Sequence, residues 1–544
     1  MKEFIFPFIV LLVYAAVNVA FPRINYTILR DEILKYEERL MIGANLTLND
    51  DEKAANKVLM KAKKEELNAG FKDPSQYAPA RNFLKAKKDI ERSKVFQLLR
   101  RMPKGAVLHA HDTSLVNVNY LYHNITFRDN LYVCIDKGAV RLHFFRVPDK
   151  SCDWQLLKKV REDPNRGRQV NDMIRSRMTM ECDNPALAYP NVNKAWQKFT
   201  DIFSFIHPLL TYKPVYEDHF LQGLEELYED NVMYLELRST LPNLYDFDGT
   251  QYQPEDVVGI YENLTQRYFI FLSIYRKHSS DHTVDILYHV FILIKSRNQD
   301  YLGNIQKKFK EKHPDFIGAK LIYAPARSVD HKIAEYYIKT LKRIKMLYPN
   351  FVAGFDLVGQ EDLGHTLEYF VNLLKTVEGH NIPFFFHAGE TNWLGASTDE
   401  NLVDAILLNT KRIGHGYALT SHPFLLELVR KMNIAIEVNP ISNQVLKLVD
   451  DLRNHAARPM FSGGYPVVIS NDDPGLWDAK GLSYDFYEGF MALVSMHADL
   501  RSLKQLAWNS LVYSTLHESE MQKALHIWER KWQTFIKDIV SENY

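Results

Sequence analysis

The sequence predicts an α/β protein: a (β/α)8 TIM barrel with a helical segment ahead of it and an insertion after the first strand. Three observations carry this prediction. Eight short apolar runs are separated by helix-length amphipathic stretches. That is the pattern of repeated βα units on a parallel sheet, and eight such units close a barrel. Almost every run ends in polar, chemistry-bearing residues, and a barrel gathers its strand ends on one face. Finally, 544 residues with 46% hydrophobic content suffice for a large core plus smaller modules.

Taken in order, residues 1–20 ("MKEFIFPFIVLLVYAAVNVA") combine one early lysine, an uncharged apolar stretch and small residues near Ala15, Ala16 and Ala20. These are the parts of a cleaved secretory signal peptide. The alternative, a retained signal anchor, needs about 20 apolar residues and this stretch is shorter. Residues 21–98 are rich in Lys, Glu, Ala and Leu at helical spacing, with a turn at "FKDPSQYAP", and read as a helical module. The first strand is "AVLHAHD" from Ala106, opening a barrel domain over 99–525. Residues 121–184 then turn aromatic and irregular and hold all three cysteines. They read as a compact insertion closed by Cys134 and Cys152, 18 residues apart, with Cys182 left over. Such a closure contributes roughly 3 kcal/mol. The remaining strands are "NVMYLELRS" from Asn231, "IGAKLIYAPAR" from Ile317, "FVAGFDLVG" from Phe351, "IPFFFHAGE" from Ile382, "KRIGHGYAL" from Lys411, "IAIEVNPIS" from Ile434 and "YPVVISNDDP" from Tyr465. Residues 526–544 form a carboxy-terminal tail.

Lys plus Arg and Asp plus Glu both number 67, so no net field draws the chain to nucleic acid or an anionic membrane, and no stable membrane span is expected. Sequons at Asn25, Asn45, Asn124 and Asn263 are compatible with secretion, as is a disulfide.

The polar residues at the run ends form a constellation: His109, His111, Gly359, His387, Glu390, His415, Asn439, Asp472 and Asp473. On a strand, His109 and His111 project to one side, which makes half of a tetrahedral metal site. His387 and Asp472 supply a third nitrogen and an oxygen, ligand types that suit zinc, and water can take the remaining position. Zinc in an open site activates water near neutral pH. Glu390, three residues past His387, is placed to protonate a substrate, and His415 to hold or deprotonate the attacking water.

The blocks "MPKGAVLHAHD", "GFDLVGQED", "FFFHAGET", "RIGHGYAL" and "VISNDDPG" resemble the signature blocks of the adenosine deaminases, in particular the secreted branch called adenosine deaminase-related growth factors. The resemblance covers nearly the whole chain. It implies that His109, His111, His387 and Asp472 bind one zinc ion per subunit, and that Glu390 gives a proton to N1 of the purine as hydroxide adds at C6. It implies that His415 orients the hydroxide and takes its proton, that Asp473 meets N7 and that the Gly359 N–H meets N3. Asp112 would face the ribose hydroxyls and Trp196 would line the ribose side. The resemblance further implies a homodimer built through the amino-terminal helices, with the 121–184 insertion as a receptor-binding module. The Cys-rich signature of cytidine-type deaminases is absent. One departure stands out. Where a continuous helix should run from "YENLTQ" to "KKFKEKHPDF", residues 267–306 intervene as an atypical insertion, an intron translated into the gene model being one origin.

The expected activity is hydrolysis of adenosine and 2′-deoxyadenosine to the inosine products and ammonia, lowering extracellular adenosine and acting on cell growth. The alternative is a secreted growth factor that binds a cell-surface receptor or glycosaminoglycan, with catalysis secondary. AMP as substrate would call for an Arg/Lys cluster at the barrel mouth; none is evident, and Asp112 would repel phosphate.

Overall fold

A computed structural model describes residues 26–266 and 313–542. The expectations for residues 1–20, Asn25 and 267–306 lie outside the described residues.

All eight apolar runs form parallel strands, here β1 (Gly105–His111), β2 (Val232–Ser239), β3 (Gly318–Tyr323), β4 (Val352–Phe355), β5 (His387–Ala388), β6 (Arg412–His415), β7 (Ala435–Val438) and β8 (Val467–Ile469). They make two four-stranded sheets, β1–β4 and β5–β8 in sequential order. The sheets meet at both seams through single parallel bridges, Phe355 with Phe384 and Ala110 with Asp472. At the second seam His111 N–H donates to Asp472 O and Asp472 N–H donates to His109 O, both at 3.1 Å. Barrel closure thus sets the two expected metal-binding segments side by side. β5 is the shortest strand although its sequence run is long: Pro383 has no N–H to give the ladder, and before regular pairing starts at His387 the run is joined to β4 by Phe355 N–H on Pro383 O and Phe385 N–H on Phe355 O.

The amino-terminal module is helical as expected. Its long helix Asp50–Lys72 starts in a reciprocal capping box between Asn49 and Glu52. Glu52 is buried and also accepts the Trp532 indole N–H (2.8 Å) and the Lys504 ammonium (2.7 Å). The expected boundary at 525/526 falls inside one helix, Glu518–Ser541, whose Trp528, Trp532, Phe535, Ile536 and Ile539 are buried. This segment is therefore core: Trp528 and Trp532, four positions apart, continue with Phe535, Ile536 and Ile539 into a buried apolar stripe, and the helix packs on Asp50–Lys72. By contrast the helix Tyr26–Leu40 buries none of its residues and exposes Tyr26, Ile28, Ile33, Leu34 and Leu40.

The insertion is more regular than its sequence suggests. Strands Leu131–Asp136, Ala139–Phe144 and Gln155–Leu156 form an antiparallel sheet, followed by helices Leu157–Glu162 and Pro164–Ser176. "AVRLHF" alternates exposed and buried residues, a period-two signal short enough to be hidden among aromatics. Cys134 and Cys152 are joined, and Cys182 is a half-buried thiol. Replacing Cys134 and Cys152 together with serine is expected to cost about 3 kcal/mol. The loss should fall on this small sheet, seen as faster proteolysis between 121 and 184 with barrel melting little changed.

Among the described residues no helix is long and apolar enough to cross a membrane. The sequons at Asn45 and Asn124 are exposed, while Asn263 is half-buried within the helix Pro254–Gln266.

Candidate active site

The site lies at the carboxyl ends of the strands. His109 and His111 end β1, His387 opens β5, and Asp472 follows β8; one ligand atom from each falls within 4.8 Å of all the others. His109 Nε2 and His111 Nε2 stand 3.1 and 3.0 Å from Asp472 Oδ1. His109 Nε2 is buried and makes no hydrogen bond. A buried imidazole nitrogen without a hydrogen-bond partner costs free energy unless something else fills its lone pair. The donor set, three imidazoles and one carboxylate, is of the type that would hold a divalent metal such as zinc.

The outer atoms of the rings are committed. His109 Nδ1 is 2.8 Å from Glu437 Oε2, and His387 Nδ1 is 2.6 Å from Asp356 Oδ2. With Nδ1–H donated to a carboxylate, each ring keeps its Nε2 lone pair for a metal. Both carboxylates are fully buried. Arg238 bridges them, Nε to Asp356 at 2.7 Å and an Nη to Glu437 at 2.8 Å, and Arg412 pairs with Glu437 and Glu236. Burial alone would raise the pKa of Asp356, but His387 and Arg238 hold it low; Glu437 is likewise held low against burial by Arg238, Arg412 and His109. Burial pushes His387 down to about 4, so its ring is neutral at physiological pH.

Glu390 follows the turn at Gly389, where φ is +73° and an added Cβ would lie 2.9 Å from Leu402. That turn brings the carboxyl back toward the histidines: Oε1 is 3.5 Å from His415 Nδ1, is buried, and has no hydrogen-bond partner. Glu361 accepts the Glu390 N–H and is itself held by Asn401 and Arg327. Burial first, then the charges of Asp472 and Glu361, push the Glu390 pKa well above the usual carboxylate range. Neighbouring carboxylates split in the same way. Burial opposes ionisation of Asp472, but His109 and His111 hold it well below its ordinary value, whereas burial and Asp472 push Asp473 well above. Ser114 donates its hydroxyl to Asp473. His415 and Asp472 both sit in the left-handed backbone region, φ +60° and +58°. Such conformations are costly for residues other than glycine and cluster at functional sites.

Asp112 is buried, with Oδ2 accepting hydroxyls from Ser239 (2.5 Å), Tyr261 (2.8 Å) and Tyr216 (3.2 Å), and Oδ1 taking Thr113 (3.0 Å). Gly359 is exposed, at φ +111° with no atom closer than 3.9 Å to an added Cβ. The cost of Gly359→Ala is therefore backbone strain alone, about 1–3 kcal/mol. We expect a raised KM with little change in kcat, measured in steady state. Trp196 lies on the helix Val192–Leu210, 9% exposed and edge-on to Phe199; that helix meets the Gly359 loop where Gln360 donates to Asn193 at 3.2 Å. Asn439 is buried beside the site, its side-chain amide weakly bonded to Glu437 O at 3.4 Å.

Asp356, Glu437, Arg238 and Glu361 are absent from the residues expected from sequence. A carboxylate in mid-run, as in "IAIEV", was the available signal, since a charge inside a buried strand needs a partner.

Sequence models of two families match: Adenosine/AMP deaminase N-terminal over residues 7–99 and Adenosine deaminase over 289–527. An adenosine deaminase of Phlebotomus duboscqi is 44% identical, covering 92% of this chain and 90% of the relative. Adenosine deaminase 2 of Homo sapiens is 39% identical, covering 94% of each. Among solved structures, adenine deaminase of Arthrobacter aurescens superposes with TM-score 0.50 at 16% identity, covering 79% of this chain and 99% of that one, a likeness of fold.

Proposed function

Because this chain belongs to the adenosine deaminase family and is a deaminase hydrolase, we propose that it is a secreted zinc enzyme converting adenosine and 2′-deoxyadenosine to inosine, 2′-deoxyinosine and ammonia. The observation that carries the reading is the four-ligand group beside a partnerless, buried carboxyl of raised pKa. His109, His111, His387 and Asp472 would hold one zinc ion, which would supply a nucleophilic water near neutral pH.

The protein's own groups do the rest. Glu390, protonated when the purine arrives, gives its proton to N1 and so absorbs the negative charge that addition at C6 pushes onto the ring. His415 holds the attacking water. Asp473, protonated by the same environment, donates to N7, and the Gly359 N–H meets N3. Asp112 takes the ribose hydroxyls through Oδ1 while three hydroxyls fix its other oxygen, and Trp196 lines the ribose side. The exposed apolar face of Tyr26–Leu40 supports a homodimer through the amino-terminal helices, and the disulfide-closed sheet supports a receptor- or glycosaminoglycan-contacting role for 121–184. Lowered extracellular adenosine and growth-factor action follow from that reading.

The test is the ultraviolet change of adenosine to inosine with protein purified from culture medium, before and after chelation and after zinc is returned. Turnover lost on chelation and restored by zinc is expected. A folded, zinc-loaded protein that leaves adenosine unchanged would overturn the proposal and favour the growth factor whose catalysis is secondary.

A further inference from the structure

We propose that Asn443 and His455 are positioning residues that hold the neutral His415 ring in its Nε2–H form, so that His415 presents a hydrogen-bond donor to the attacking water. This deepens the reading above and rests on it for the identity of that water.

The chain of assignments starts at a backbone amide, which can only donate. Ala457 N–H lies 3.0 Å from His455 Nδ1, so that nitrogen accepts. His455 is buried, and burial pushes its pKa down to about 3. Its ring is neutral, with its one proton on Nε2. That N–H sits 3.0 Å from the side chain of Asn443, and only the amide oxygen can receive it. The amide NH2 of Asn443 is thereby turned to His415 Nδ1, 3.0 Å away. An NH2 only donates, so Nδ1 accepts and the proton of the neutral His415 ring resides on Nε2. Each step follows from the Ala457 N–H rather than from a chosen amide orientation.

The backbone holds the relay in place. Asn443 is fully buried on the helix Pro440–Val445 after β7, its N–H bonded to Asn439 O and its own carbonyl taking the Leu448 N–H. His455 packs edge-on to Tyr417. His415 Nε2 points to the metal group, 3.8 Å from Asp472 Oδ2. A donor held there can orient a water oxygen and stabilise charge growing on it without moving during the reaction. Of the two tasks open to His415, orienting the water and taking its proton, this geometry serves the first.

Asn443→Asp separates the proposal from a structural role. The carboxylate still accepts from His455, but it cannot donate to His415 Nδ1 and draws a proton there instead. Asn443→Leu loses every side-chain bond without imposing the wrong tautomer. We expect Asn443→Asp to lower kcat by about 100-fold, with inosine affinity by calorimetry unchanged, and to be the slower of the two variants. His455→Gln, whose amide can still donate to Asn443, should retain kcat, and His455→Leu should not.

The direct readout is histidine side-chain nitrogen-15 NMR of the full-length, zinc-loaded protein, with His415 assigned by its loss in His415→Gln. A bare Nδ1 and protonated Nε2 in the wild type, reversed in Asn443→Asp, is the expected result. A protonated Nδ1 in the wild type, or full kcat in Asn443→Asp, overturns the proposal. The expected spectra in a protein that cannot turn over adenosine would sustain the tautomer and sink the functional reading instead.

Discussion

Glu390→Gln is expected to lower kcat by about 10²–10⁴-fold, with metal content unchanged. Glutamine fills the same buried space and can still offer a hydrogen bond, but it has no proton to transfer. The raised pKa of Glu390, caused first by burial and then by Asp472 and Glu361, also fixes two pH dependences. A protonated acid is required, so kcat should fall as pH rises through that pKa, and this alkaline limb should vanish from the residual activity of the variant. Stability moves the same way. The folded state holds a proton that the unfolded chain releases above the ordinary carboxylate pKa, so the wild type loses stability as pH rises beyond it. Glu390→Gln should therefore melt at or above the wild-type temperature at neutral and alkaline pH. Steady-state rates and melting curves across pH check both. Unchanged kcat would remove Glu390 from the chemistry. A variant inactive as a deaminase yet fully mitogenic would separate binding from catalysis.

Arg238→Leu is expected to cost about 3–5 kcal/mol of stability and to weaken metal binding 10–100-fold. Arg238 is fully buried and serves four acceptors: Asp356, Glu437, Leu108 O and Phe385 O, at 2.7–3.1 Å. Asp356 and Glu437 in turn receive His387 Nδ1 and His109 Nδ1. Among the described residues leucine leaves Asp356 with no cationic side chain in contact, while Arg412 still covers Glu437. Asp356 should then protonate, loosen His387 and spoil one of four ligands. Lysine should not rescue the loss, because a point charge cannot reach acceptors arranged around a planar fork. Adding Asp356→Asn to Arg238→Leu should recover stability without recovering metal affinity. Denaturant unfolding and competition with a chelator measure the two effects separately, and a single variant with wild-type values in both would show that the bridge is dispensable.

Much of this site was legible in one dimension. The expected metal ligands were read from the ends of apolar runs, because a strand's two-residue period and the barrel's common rim turn sequence position into spatial position. Glu390 was legible for the same reason, through "HAGE". Trp196 was not placed by any such rule; it sits on a helix, one of many aromatic positions that sequence alone leaves equivalent. The insertion's sheet is hidden in the sequence because its strands are short, and residues 526–544 read as a tail although the apolar residues of "HIWERKWQTFIKDI" recur at helical spacing.

The family, the count and order of strands, and the residue types at their ends are written in the chain, since these depend on local periodicity and on chemistry carried by single side chains. Which partner each group keeps is settled by the three-dimensional fold. His109 finds Glu437 328 residues away, Glu52 finds Trp532 480 residues away, and Asp112 collects hydroxyls from Tyr216, Tyr261 and Ser239. The reason is physical. Buried charges and ring nitrogens must be satisfied wherever the closed barrel brings a partner, and no local pattern in the chain encodes that meeting.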